Sequence, residues 1–136
     1  MGQQQLLLII LGVIVVGIAV AVGITMFSDS AINANRDALT NDLVNLASRA
    51  QQFYRRPTSL GGGGNSFTAL TTSSISLLTN KPSNANGTYS ITGAGGGSGS
   101  TANVVITGVG TELYNGSPVS VKVFVYPDRD SMVVIN

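Results

Sequence analysis

LLLIILGVIVVGIAVAVGITMF, residues Leu6 to Phe27, is an unbroken apolar run that begins almost at the amino terminus and passes, without a proline or a turn signal, into a segment of different character. About 20 apolar residues at about 1.5 Å rise each span a hydrocarbon core of roughly 30 Å, so the run has the dimensions of a membrane-spanning helix. A cleaved secretory signal is a poorer match, because it carries a basic n-region, an apolar stretch of about 7 to 15 residues and a small-x-small cleavage site. Here Met1, Gly2, Gln3, Gln4 and Gln5 hold no Lys or Arg, and the apolar stretch is too long.

Working outward, Ser28 to Arg56 (SDSAINANRDALTNDLVNLASRAQQFYRR) places Ile32, Leu39, Leu43, Leu46, Ala50 and Phe53 at helical spacing, which gives one apolar stripe. The economical expectation is a single helix from near residue 3 to near residue 55, about 80 Å long by its rise. Its first half is apolar all round, and its second half has one apolar face. Pro57 ends it, because proline lacks the amide hydrogen and restricts the residue before it.

The rest of the chain is rich in Gly, Ser, Thr and Asn, with β-branched runs between turn signals. Expected strands are Thr88 to Thr92, Ala102 to Val109, Val119 to Tyr126 and Ser131 to Ile135, bounded by Asn86-Gly87, Gly93 to Ser100, Tyr114 to Pro118 and Pro127 to Asp130. Short connections imply an antiparallel meander. In the third strand Val119, Val121, Val123 and Val125 alternate with Ser120, Lys122, Phe124 and Tyr126, so one face is wholly apolar and needs a cover. The helix stripe is the long amphipathic surface able to supply it, with Leu39, Leu43 and Leu46 opposite Val121 and Val123 in a shared core. The expected class is therefore α+β: a long N-terminal helix packed on a small C-terminal antiparallel sheet. Its parts are 1–28, an anchor or filament core; 29–56, the amphipathic continuation; 57–87, a Gly/Ser/Thr-rich connection; and 88–136, the sheet, which forms one head with 29–56. In the connection, Gly61 to Gly64 imply a flexible or left-handed turn, and Phe67 to Leu78 reads as a short helix or as a loop pinned by its aliphatic side chains.

Composition excludes several functions. Net charge is +1 and 10% of residues are charged, which leaves no electrostatic footprint for nucleic acid. Without Cys there is neither a disulfide framework nor a thiolate metal site, and without His the commonest general base and metal ligand is missing. No constellation of nucleophile, base and orienting group stands out, so no catalytic residues, cofactor or metal are expected and the chain does not read as an enzyme. Asp128-Arg129-Asp130 reads as a turn; two carboxylates there without further acids are a poor Ca²⁺ site. Arg55-Arg56 reads as a solvated helix end favoured by the macrodipole. Asn86-Gly87-Thr88 and Asn115-Gly116-Ser117 match the N-glycosylation pattern, and both are also strong turn sequences.

A membrane-length N-terminal helix that continues into an amphipathic half, then a Gly-containing loop, then a closing antiparallel sheet, resembles a type IV pilin or a related pseudopilin. The resemblance implies a leader cut after a glycine by a prepilin peptidase, methylation of the new N-terminus, residence as a single-pass protein in inner-membrane lipid, and extraction by pilus assembly machinery. The product would be a helical homopolymer on the cell surface with the helices bundled at its centre, serving adhesion, motility or DNA uptake. Two departures stand out. The family normally has Glu at mature position 5, where this chain has Gln5, or Leu7 if cleavage follows Gly2; and a proline common near mature position 22 is replaced here by Val22-Gly23. The mature chain starts either at Met1 or, if Met1-Gly2 is a minimal leader, at Gln3; the lack of Lys or Arg before the run favours the first.

On this reading Val15 and Ile18 lie in the buried assembly core. Gln3, Gln4 and Gln5 either exchange neutral hydrogen bonds at the head of a helix bundle or simply mark the polar edge of the membrane segment. Gly17 and Gly23 either permit close helix packing or form a weak section that loosens as the subunit leaves lipid, since glycine costs roughly 1 kcal/mol against alanine in a helix. The competing readings are a minor pseudopilin of a type II secretion-like machine and a membrane-anchored extracytoplasmic binding domain.

Overall fold

The computed structural model describes residues 2–96 and 99–136; the expectations that fall on Met1, Gly97 and Ser98 lie outside the described residues. One helix, α1, runs from Gly2 to Arg55, and a single sheet follows with strands β1 (Gly87–Gly96), β2 (Asn103–Tyr114), β3 (Ser117–Val125) and β4 (Asp130–Val134). The strands stand in the order β1-β2-β3-β4 and every neighbouring pair is antiparallel, a simple meander. The chain thus has the α+β arrangement of a long helix against a small antiparallel sheet.

α1 changes surroundings part-way along. Residues 2–30 are exposed throughout and form a stalk, of which Asp29 borders the head. From Ile32 the apolar stripe turns inward: Ile32, Leu39, Leu43, Leu46, Ala47, Ala50 and Phe53 are buried. Opposite them lies the valine face of β3, where Val119, Val121, Val123 and Val125 have no solvent exposure, together with Val104 and Ile106 of β2 and Tyr89 and Ile91 of β1. The helix lies across β2 and β3 and only brushes β4. A side-chain period of two meets one of about 3.6, and each surface removes the other from water.

The helix end explains the glycine run. Carbonyls in the last turn have no intrahelical partner and must find donors elsewhere. Gly63 N–H donates to Phe53 O at 2.8 Å, Asn65 N–H to Tyr54 O at 2.7 Å and Gly64 N–H to Arg56 O at 2.9 Å. Reaching them takes a tight reversal through left-handed positions at Gly61 (φ 76°), Gly64 (φ 58°) and Asn65 (φ 61°), where a Cβ is strained. The connection beyond is a loop with a 3₁₀ turn at Ile75–Leu77, pinned by buried Phe67, Leu70 and Leu78. It also covers the outer edge of β1, for Tyr89 N–H donates to Pro82 O at 2.7 Å and Gly95 N–H to Leu70 O at 2.9 Å.

Two expected boundaries need correction. The segment Gly93 to Ser100 is not wholly a loop: β1 continues irregularly to Gly96, with register shifts after Ile91 and Gly93. The glycines allow this by letting another backbone come close, since a Cβ on Gly95 would lie 1.7 Å from the Phe67 carbonyl oxygen. Nor is Tyr114 to Pro118 a five-residue loop, because pairing persists to Tyr114↔Ser117 across a two-residue turn at Asn115 (φ 51°) and Gly116 (φ 81°). That turn matches the right-handed twist of the strands it joins.

Leu43 and Val121 sit at the centre of this core, both without exposure. Leu43→Ala is expected to cost about 2–5 kcal/mol, and Val121→Asp, which buries an unpaired charge, to abolish the cooperative transition of the head. Chemical denaturation of the full chain in detergent micelles, followed by near-ultraviolet circular dichroism, checks both.

Candidate functional site

Two features of the head and stalk are candidates, and they differ in chemistry. The first is the stalk surface. No part of its most apolar stretch is buried within the chain, and Val15 (56% exposed), Ile18 (61%) and Phe27 (79%) show the condition of the whole run. Gln3, Gln4 and Gln5 occupy its exposed first turn. The helix passes unbroken through Gly12, Gly17 and Gly23, and a methyl group added at any of the three would meet open space. Gln3, Gln4, Gln5, Val15, Gly17, Ile18 and Gly23 all stand exposed on the stalk. Leu39, Leu43, Leu46, Val121 and Val123, by contrast, come together in one cluster.

Water-soluble monomers rarely expose a contiguous apolar surface of this length, which marks a membrane or protein interaction surface. The stalk is long and apolar enough to cross a bilayer and is compatible with a membrane anchor.

The second feature is a polar clamp on the flank of the head. Asp42, on a half-buried turn of α1, accepts hydrogen bonds on Oδ2 from Asn84 Nδ2 (2.9 Å), Asn86 Nδ2 (3.0 Å) and the Tyr89 hydroxyl. Asn84 serves twice, for its Oδ1 accepts from the backbone N–H groups of Asn86 (2.8 Å) and Gly87 (3.2 Å) and so folds the turn that starts β1. Asn35, one of the few buried polar residues, donates from Nδ2 to Asn86 O at 2.8 Å. The strand entering the sheet is thereby tied to the helix at two points.

Burial pushes the Asp42 carboxyl up, but the hydrogen bonds from Asn86, Tyr89 and Asn84 outweigh it and hold the group below its ordinary value. Burial raises the Tyr89 phenol well above its usual range, and the hydrogen bond to Asp42 and the charge of that carboxylate add to the effect. A shallow groove of about 320 Å³ opens beside the clamp, lined by Asp42, Asn45, Arg49, Thr79, Lys81 and Asn84 among others. Arg49 is held in its wall by a 3.0 Å bond from Nη1 to Leu78 O.

Asp42, Asn84 and Tyr89 were not singled out from sequence. Asn86 was, as a turn and a glycosylation motif. Its Nδ2, the atom a glycan would take, is engaged with Asp42, whereas Asn115 stands exposed in the β2–β3 turn. At the opposite end of the head, Asp128 and Arg129 form the β3–β4 turn, in which Tyr126 N–H donates to Arg129 O at 2.8 Å and Arg129 pairs with Asp128 at 3.5 Å. No group of three or more His, Cys, Asp or Glu side chains that could hold a metal exists among the described residues. Arg55 donates to Pro127 O at 3.3 Å, which ties the end of the helix to the same turn.

No family model, curated protein or solved structure matches this chain.

The clamp makes the head sensitive to both extremes of pH. Asp42 has a lowered value when folded, so its stabilisation is present above about pH 4 and is lost as pH falls through the folded value; Tyr89 has a raised one, so its contribution is present below about pH 10 and is lost as pH rises beyond it. Tyr89→Phe is expected to cost about 1 kcal/mol at neutral pH and to flatten the alkaline loss, while Asp42→Asn flattens the acid loss. Melting temperatures of the three proteins measured between pH 2 and 11 check these signs.

Proposed function

We propose that this chain is the structural subunit of an extracellular filament of the type IV pilus kind, held in a membrane by its stalk before assembly and polymerised through that stalk afterwards. One observation carries the reading: a wholly exposed apolar half-helix is continuous with a helix half that is the backbone of the folded head. A plain anchor requires no such continuity, since a flexible linker would serve. One unbroken helix transmits the position of the stalk to the head, which a regular array of heads around a helical core requires. The stalk chemistry is consistent with both environments, because an apolar helix is satisfied by lipid or by copies of itself, and its backbone hydrogen bonds are internal in either. Small residues at Gly12, Gly17, Ala19, Ala21 and Gly23 let neighbouring helices approach closely. The partners on this reading are further copies of the chain, membrane lipid, a prepilin peptidase and an assembly machine, with no specific nucleic acid.

Electron microscopy of material sheared from cells that express the chain tests the proposal directly. Abundant thin filaments composed of this protein support it, whereas a chain that stays monomeric in the membrane fraction points to an anchored domain instead.

Filament stability is expected to be hydrophobic and nearly independent of salt, since residues 2–28 contain no Asp, Glu, Lys or Arg and each buried Leu, Ile or Val contributes about 1.5–3 kcal/mol. Val15→Asp or Ile18→Asp is expected to abolish filament yield, as measured by sedimentation after shearing. Replacing Gln3, Gln4 and Gln5 together with Ala separates their two roles: slowed assembly assigns them to hydrogen bonding in the bundle, and an unchanged rate makes them a membrane-edge marker.

A further inference from the structure

The β2–β3 hairpin reaches down the helix towards the stalk. Gly108 lies against Leu39 and Gly110 against Asn35, close enough that a Cβ on Gly110 would sit 2.0 Å from Asn35 Oδ1. The strand therefore advances towards the N-terminal end of α1. Glu112 N–H still donates to Asn35 Oδ1 at 3.4 Å, and two more residues at about 3.3 Å each carry the strand about 7 Å further, the rise of about four to five residues of helix. Tyr114 accordingly lines a groove with Asp29, Ile32, Asn33 and Arg36, and its ring lies 5.0 Å from the Arg36 guanidinium carbon. Asn115 and Gly116 follow at the tip of the hairpin, and Asp29 of the groove is two residues past Phe27, where the apolar run ends. Leu113 (59% exposed) and Tyr114 (40%) are uncovered at this end of the head, as is Phe27 at the end of the apolar run. The C-terminal Asn136 joins this end of the head, accepting from Arg36 Nε at 3.2 Å and donating to Pro118 O at 3.3 Å.

We propose that the hairpin tip, Leu113 to Pro118, is a second membrane contact that seats in the lipid headgroup layer beside the point where α1 leaves the bilayer. The inference rests on the reading that residues 6–27 occupy a bilayer. Continuity with the stalk identifies the occupant: if the bilayer surface stands at Phe27–Ser28, Asp29 and the Tyr114 that shares its groove come next to it. The residue types suit that depth. Tyrosine is favoured at the membrane–water boundary, where its ring is in the apolar zone and its hydroxyl in water, and the polar Asn115-Gly116 turn is closed by the strand pairs Tyr114↔Ser117 and Leu113↔Pro118. Asp29 and Glu112 against the single cation Arg36 give these three groups a net charge of −1, which offers no attraction to anionic lipid, so the surface sought is zwitterionic and the attraction apolar. Two contacts, one through the helix and one through the hairpin, fix both tilt and rotation of the head, which a single spanning helix leaves free.

The chain has no tryptophan, so single tryptophans report without background. Full-length Leu113→Trp, Val15→Trp and Leu60→Trp proteins are reconstituted in phosphatidylcholine vesicles whose acyl chains are brominated either near the headgroup or near the methyl end. Leu60 follows the far end of α1 and is exposed, so it controls for the affinity of tryptophan itself for membranes. The expected result is deep-bromine quenching at position 15, a blue-shifted emission at 113 quenched at least twofold more by shallow than by deep bromines, and no quenching at 60. Adding Tyr114→Asp to Leu113→Trp is expected to reduce its quenching to that of the control, with unchanged far-ultraviolet circular dichroism. Quenching at 15 with none at 113 overturns the hairpin contact and leaves the membrane reading intact. No quenching at 15 overturns both.

Discussion

The fold depends on the burial of one helix stripe against one sheet face. Neither surface is stable alone: a four-stranded sheet of this size with an open valine face would aggregate, and a helix with Leu39, Leu43 and Leu46 in a row would find another partner. Joined, they form a core in which Val119, Val121, Val123 and Val125 have no exposure. Everything else in the head supports this contact. The glycine-rich reversal caps the helix end, the connection to β1 closes one sheet edge, and the Asp42 clamp locks the first strand to the helix flank.

The same helix has two solvents, and this sets the character of the molecule. Residues 32–53 present one apolar face, which meets the sheet, while residues 6–27 are apolar all round and exposed on every side among the described residues. The change occurs over Ser28, Asp29 and Ser30, which place the first charge of the helix at the junction. The stalk is long and apolar enough to cross a membrane, and the side-chain hydrogen bonds that tie one segment to another lie in the head.

That polar chemistry is constructed to hold position. Three donors converge on one carboxylate oxygen of Asp42, and Asn84 shapes a turn with one end of its amide while it reaches the helix with the other. Charge-assisted bonds of this kind are directional, so they specify register where hydrophobic contact is indifferent to it. Gly108, buried, and Gly110, half-buried, have a related effect in β2, letting the strand lie close to Leu39 and Asn35 and so setting the height of the hairpin on the helix.

Periodicity made much of this legible in the residues themselves. The 3.6-residue stripe, the alternating valines, the apolar run and Pro57 are local patterns, and each marks an element without reference to any other part of the chain. The course of Gly93 to Gly96 was not legible, because glycine signals a turn locally while here it admits the Phe67 backbone beside a continuing strand. The clamp was hidden for a different reason: Asp42 lies more than forty residues before its partners, and Asn84 and Asn86 look like ordinary turn residues until the fold brings the helix flank to them. Sequence by itself determined which segments are helix and strand and that one half of the helix needs an apolar surrounding, since those follow from the spacing and length of apolar residues. Only the tertiary structure decided which polar groups meet and how far down the helix the hairpin reaches, because both depend on distances between segments that no local pattern encodes.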